Sequence, residues 1–220
     1  MVKNRFKLVL LLLVSFHLKY TRAGGYFKSD HLLFDFYSSK WVNTSNDLTT
    51  DPNVSCSISY GKDISIKSSN FSWFYGLGYD FNTIHHLINF NSLPSINETP
   101  RELGIRILNV PYSINKLSSQ YLEVPLEFRY RTQTKHPLRI YYGVKVGYMV
   151  RSSYVFQKDR KDIYHKKNLN ELNHYKYGMT FRLGYGIINI YAYYGLNGLL
   201  SAQSQLAINQ LSFGITLIAN

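Results

Sequence analysis

Residues 121–131 read YLEVPLEFRYR, and apolar and polar side chains alternate along them almost without a break. Successive side chains of an extended strand point to opposite faces, so Leu122, Val124, Leu126, Phe128 and Tyr130 share one face. Glu123, Glu127, Arg129 and Arg131 share the other. The same period of two returns along most of the chain. It predicts eight strands, near residues 30–42, 53–60, 71–81, 121–131, 138–154, 174–185, 187–196 and 206–218. No helix longer than a turn or two is expected. An even number of strands suits a single-chain antiparallel barrel.

Alternation alone leaves open which face looks inward, because a soluble barrel of the lipocalin kind buries its apolar face and a membrane barrel exposes it. Three features favour the membrane. The polar face of residues 138–154 combines Arg139, Lys145 and Arg151 with Gly143 and Gly147, as a narrow lumen requires. Aromatic residues cluster at both ends of the apolar face. Tyr177 and Tyr185 are separated by about 20 Å at the usual rise and tilt, close to the height of a lipid-facing band. Connections alternate in length: those near 61–69, 131–137 and 184–186 are short, whereas 84–119 and 155–173 are long. Short periplasmic turns and long external loops, with both termini in the periplasm, produce that asymmetry. The expected fold is an all-β, eight-stranded antiparallel transmembrane up-and-down barrel.

Composition and targeting agree. Only 17% of the 220 residues are charged, while 16% are aromatic and 20 are tyrosine; soluble domains carry about a quarter charged residues. Lys3, Arg5 and Lys7 precede the apolar run 8–14, and Thr21-Arg22-Ala23 offers small residues where a signal peptidase reads. A cleavable leader over 1–23 and a barrel domain over 24–220 are expected. An uncleaved anchor helix is disfavoured, since Ser15, His17, Lys19 and Arg22 end the apolar run well short of the roughly 20 residues a span needs. Losing the five basic residues of the leader lowers the formal charge from +12 to +7. Acidic lipid headgroups suit that charge. No nucleic-acid-binding pattern accompanies it. Cys56 is the single cysteine and excludes an internal disulfide; its parity marks it as a small apolar side chain.

The stretches YLEVPLEFRYR, IYYGVKVGYMVRSS, YKYGMTFRLGYGIINIYAYYGL and LSFGITLIAN, with HLLFDFYSSKW and FYGLGYDF, resemble the small outer-membrane β-barrel proteins of Bacteroidota-type bacteria called PorT-like. The resemblance covers nearly all of the chain beyond the leader, but its motifs are strand and turn motifs and bring no active site. One member type of that group assists a protein-secretion apparatus, which implies an accessory role in assembly or secretion.

Inward parity assigns Asp35, Asp80, Glu123, Glu127, Arg129, Arg139, Lys145, Arg151, Lys176 and Arg182 to a lumen charge network. Eight strands leave an interior just wide enough for side chains, so no open pore is expected. Charge pairs that stabilise the wall are favoured over an ion pathway. The lipid-facing aromatic girdle comprises Trp73, Tyr79, Tyr142, Tyr154, Tyr175, Tyr177, Tyr185 and Tyr194. His85, His86 and His165 read as loop residues, and neighbouring histidines on a strand cannot face one metal. Ser119, Ser152 and Ser153 have no spacing to a base and an orienting group, so neither an enzyme nor a cofactor or metal is expected. The basic run KDRKDIYHKK, 158–167, suits the phosphates of lipopolysaccharide. Expected partners are outer-membrane lipid, lipopolysaccharide and secretion or envelope proteins, around a monomeric barrel. The competing function is surface ligand binding or adhesion through 84–119, because small barrels carry specificity in long external loops.

Overall fold

Strands that alternate this regularly need a different environment on each side, and a closed sheet supplies it. The structure is a computed structural model that describes residues 30–42, 50–51, 53–66, 69–86, 88–89, 106–107, 113–158, 163–200 and 208–219. The leader expected over 1–23 lies outside the described residues. Eight long strands build the wall: β1 (Leu32–Val42), β2 (Val54–Ser65), β3 (Phe71–His86), β4 (Ile114–Arg131), β5 (Leu138–Gln157), β6 (Tyr175–Tyr185), β7 (Ile188–Gly195) and β8 (Asn209–Ala219). Each pairs antiparallel with its predecessor, and β8 returns to β1 in a register running from Leu32↔Ala219 to Val42↔Asn209. The wall therefore closes without an edge, the condition for a sheet to span lipid.

The two faces decide the solvent. Lys145, Glu123 and Arg182 are buried inside, whereas Val146, between Lys145 and Gly147, is 49% exposed on the outside. Leu77, Val124, Tyr177, Ile190 and Phe213 are exposed with it. An apolar exterior around a charged interior inverts the soluble arrangement and rules out the lipocalin-like alternative.

The connections 66–70, 132–137 and 186–187 lie at the same end as Leu32 and Ala219, here the turn end. Gly186 has φ +64°, which a two-residue turn of the II′ kind demands at its first position. Thr132 closes the second turn by accepting at Oγ1 from Leu138 N at 2.8 Å. The strand ends that the longer connections join, among them Val42, His86, Ile114, Gln157 and Asn209, lie at the opposite end, here the loop end.

At the loop end the strands run further than their apolar faces suggest. β3 continues to His86 and β4 starts at Ile114, so the expected connection 84–119 shrinks to 87–113. Ile88–Asn89 pairs with Arg106–Ile107 within it. The expected connection 155–173 holds a further strand, Ile163–Lys167, paired with Ser153–Gln157 of β5. His85 and His86 thus belong to a strand. The outward residues there, Thr83, His85, Lys116 and Ser118, are polar, which is why the region reads as loop.

One irregularity interrupts the wall. Ser119↔Ser152 and Gln120↔Arg151 are followed by Tyr121↔Met149, leaving Val150 as an extra residue in β5. Such a bulge reverses the facing of everything beyond it.

Candidate functional site

The lumen is the first place to look for chemistry, and its charges form one connected network. Among the described residues six acids (Asp30, Asp35, Asp63, Asp80, Glu123, Glu127) meet six bases (Arg129, Arg131, Arg139, Lys145, Lys176, Arg182), all buried, so their formal charges cancel.

At the turn end Asp30 receives Arg139 through Nε at 2.8 Å and Nη2 at 2.9 Å, with the Tyr141 hydroxyl donating to it as well. Arg131 lies 3.2 Å from Asp30 and 3.0 Å from Asp63. The Arg129 guanidinium stacks 3.6 Å above the Phe74 ring and donates to Glu127 Oε2 from Nε at 2.9 Å and Nη2 at 2.7 Å. Midway, Arg182 bridges Glu127 and Asp35, the latter at 2.8 Å, while Thr216 and Ser57 donate to Asp35 at 2.6 and 3.0 Å. Higher still, Lys145 lies 3.0 Å from Glu123, and Lys176 bridges Glu123 at 2.6 Å and Asp80 at 2.7 Å. The Tyr37 hydroxyl donates to Asp80.

Glycines make room for these side chains. Gly143 stands opposite Glu127, and a Cβ there would come within 2.3 Å of the Leu126 carbonyl oxygen. Gly147 lies between Glu123 and Lys176. The void beside Lys176, lined by Tyr121, Tyr193 and Gln210, has room for about one water.

Above the network the lumen turns apolar. Trp41, Ile84, Leu117, Tyr121, Met149, Tyr154, Leu169, Leu172, Leu199, Leu200 and Ile208 pack into a plug at the loop end. His86 is buried here, stacked between Trp41 at 4.8 Å and Tyr154 at 5.9 Å.

Of the residues assigned to the lumen, Asp35, Asp80, Glu123, Glu127, Arg129, Arg139, Lys145, Lys176 and Arg182 lie within the network. Arg151 does not: the extra residue Val150 turns it to the outside, where it is exposed. Of the aromatic set, Trp73, Tyr142, Tyr175, Tyr177, Tyr185 and Tyr194 are exposed on the outer face. Tyr79 is half-buried there and donates to Gln120 Oε1 at 2.8 Å. Tyr154 is corrected by the same bulge; it is 0% exposed and packs in the plug. Asp30, Asp63 and Arg131 complete the network. Asp63 keeps the inward parity of Ser57 and Ser59 in β2, a signal lost when that strand is stopped at Tyr60. Asp30 precedes β1 and has no periodic signal at all.

Ser119 and Ser152 face each other inside, Ser152 Oγ accepting from Leu169 N at 2.8 Å, while Ser153 faces out. Among the described residues no three His, Cys, Asp or Glu side chains are grouped so as to hold a metal ion.

A family model described as an outer membrane protein beta-barrel domain matches residues 34–201, most of the chain. The chain belongs to that family. The match and the apolar exterior together place this outer-membrane barrel in the outer membrane. No curated protein matches it in sequence. Among solved structures it is similar to Ail, the attachment invasion locus protein of Yersinia pestis, crystallised with the heparin analogue sucrose octasulfate. That match has 9% identity and a TM-score of 0.35, and covers 86% of this chain and 97% of Ail. It is too distant to bear on function.

Proposed function

We propose that this outer-membrane barrel is a sealed, non-enzymatic scaffold that binds a ligand or partner at the cell surface through its loop end. The observation that carries the reading is the extension of β3, β4 and β5 beyond the apolar band, where most of their outward residues, Thr83, His85, Lys116, Ser118, Gln120, Arg151 and Ser153, are polar. A barrel needed only to span lipid has no use for that extension. External loops on a rigid scaffold are where small barrels hold specificity. The termini and short turns at the opposite end support an orientation with the loop end outside, reached by export through a cleavable leader over 1–23.

Sealing follows from the lumen. A permeating ion would have to displace a paired charge at each level and then cross the plug. Both steps are costly. The PorT-like resemblance supports an envelope protein, but an accessory role in secretion draws no support from the fold. Envelope proteins and outer-leaflet lipid are the partner classes this reading names, with a single barrel as the working unit.

Deleting residues 91–105 from the full-length protein tests it. The barrel is expected to keep its heat-modifiable gel mobility while cells lose surface binding of the partner. Retained binding would contradict the proposal.

A further inference from the structure

The outer wall changes character in register. Tyr79, Leu122, Tyr148 and Tyr175 stand side by side across β3 to β6, with the Tyr148 and Tyr175 rings 5.4 Å apart. Aromatic rows of this kind sit at the headgroup level of a bilayer. Directly above, Gln120 pairs with Arg151; one step higher Ser118 pairs with Ser153, and Ser153 with Lys167 of the added strand; above that comes Lys116. Among the described residues the acid that shares this face is Asp51, which pairs with His85 two strands from Lys116, about 10 Å away and further still from Arg151 and Lys167.

We propose that this wall binds the phosphorylated headgroup of an outer-leaflet glycolipid, with Lys116, Arg151 and Lys167 as its cationic contacts. Every cation of the lumen has an acidic partner, and Lys166 pairs with Glu171 at 2.5 Å. Lys116, Arg151 and Lys167 have no ion-pair partner among the described residues. Arg151 owes its place to the bulge at Val150, which moves a guanidinium from the lumen to the lipid boundary. Lys167 is its diagonal neighbour across the added strand, about 7–8 Å away. Lys116 lies two strands from Lys167, about 10 Å sideways. A headgroup bearing phosphates fits between them, with the Ser118 and Ser153 hydroxyls as further donors. Arginine suits the task because its planar fork holds phosphate through two parallel hydrogen bonds.

The inference rests on the loop end meeting the outer leaflet, but its test does not need that orientation. The purified full-length protein is placed in nanodiscs of phosphatidylcholine with a minor fraction of bis-phosphorylated lipid A, or of the same lipid dephosphorylated. Lipid retained per barrel after transfer to mild detergent is read by native mass spectrometry. The wild type is expected to enrich the phosphorylated form alone, and excess inorganic phosphate to leave that enrichment in place. The triple variant K116Q/R151Q/K167Q should lower it by at least about tenfold, as expected for losing three charges at a membrane surface. K62Q/K135Q, at the turn end, should leave it unchanged. If the triple variant lacks heat-modifiable mobility, Arg151→Gln alone reads the same effect at about threefold. Equal enrichment of the dephosphorylated lipid, an unaffected variant or full displacement by inorganic phosphate would each overturn the proposal. Surface proteolysis of whole cells reads orientation separately, so a failure of topology is distinguishable from a failure of the site.

Discussion

Below and above Val150 the same strand, β5, obeys opposite rules. Below it Arg139, Tyr141 and Lys145 point inward, and Ile140, Tyr142 and Val146 face lipid. Above it Ser152 and Tyr154 point inward and Arg151 faces out. The environments change with the rule. The lower lumen is filled by paired charges inside an apolar exterior, and the upper lumen by an apolar plug inside a mainly polar exterior. One added residue thus lets the wall exchange its inner and outer faces, with pairing to β4 resuming at once on either side of Val150. Inside-out becomes right-side-in.

The largest expected effect breaks the lower region. Arg182→Met removes the guanidinium that bridges Asp35 and Glu127, leaving two buried acids with only Lys145, 3.7 Å from Asp35, and Arg129, 2.7 Å from Glu127, and should cost about 3–5 kcal/mol, read as a lowered urea midpoint for loss of heat-modifiable mobility. Val146→Arg places a charge on the lipid face of that region. It should cost roughly 2–4 kcal/mol by the same measurement, if the residue sits near the bilayer midplane. Ile84→Val trims the plug and should cost about 1 kcal/mol. Arg151→Gln should change stability by less than about 0.5 kcal/mol, because an exposed cation without a partner contributes little. Were Arg151 in the lumen, its neutralisation would resemble that of Arg182.

Much of the lower region was legible in the sequence. Alternation in YLEVPLEFRYR placed Glu123, Glu127 and Arg129 on one face, and Gly143 and Gly147, interleaved with Arg139 and Lys145 in residues 138–154, marked the polar face as the crowded one. The upper region resisted for two physical reasons. Its outward residues are polar, so Thr83, His85, Lys116 and Ser118 look like loop rather than strand. Its facing is set by a bulge whose position depends on how β4 meets β5, a pairing that period-two counting along one strand does not contain. Tyr154 and Arg151 were misplaced together for that single reason. Asp30 was missed because a residue ahead of the first strand reaches the lumen by tertiary placement, not by parity.

Cysteine accessibility across the bulge tests the account most directly. In a Cys56→Ser background, single cysteines at Val146, Arg151, Ser152, Ser153 and Tyr154 are probed in the folded, lipid-embedded protein with a water-soluble thiol reagent and a lipid-soluble one. The account predicts lipid-side labelling at Val146, aqueous labelling at Arg151 and Ser153, and protection at Ser152 and Tyr154. Protection at Arg151 with lipid-side labelling at Tyr154 would mean that alternation runs unbroken through Val150, and would contradict it.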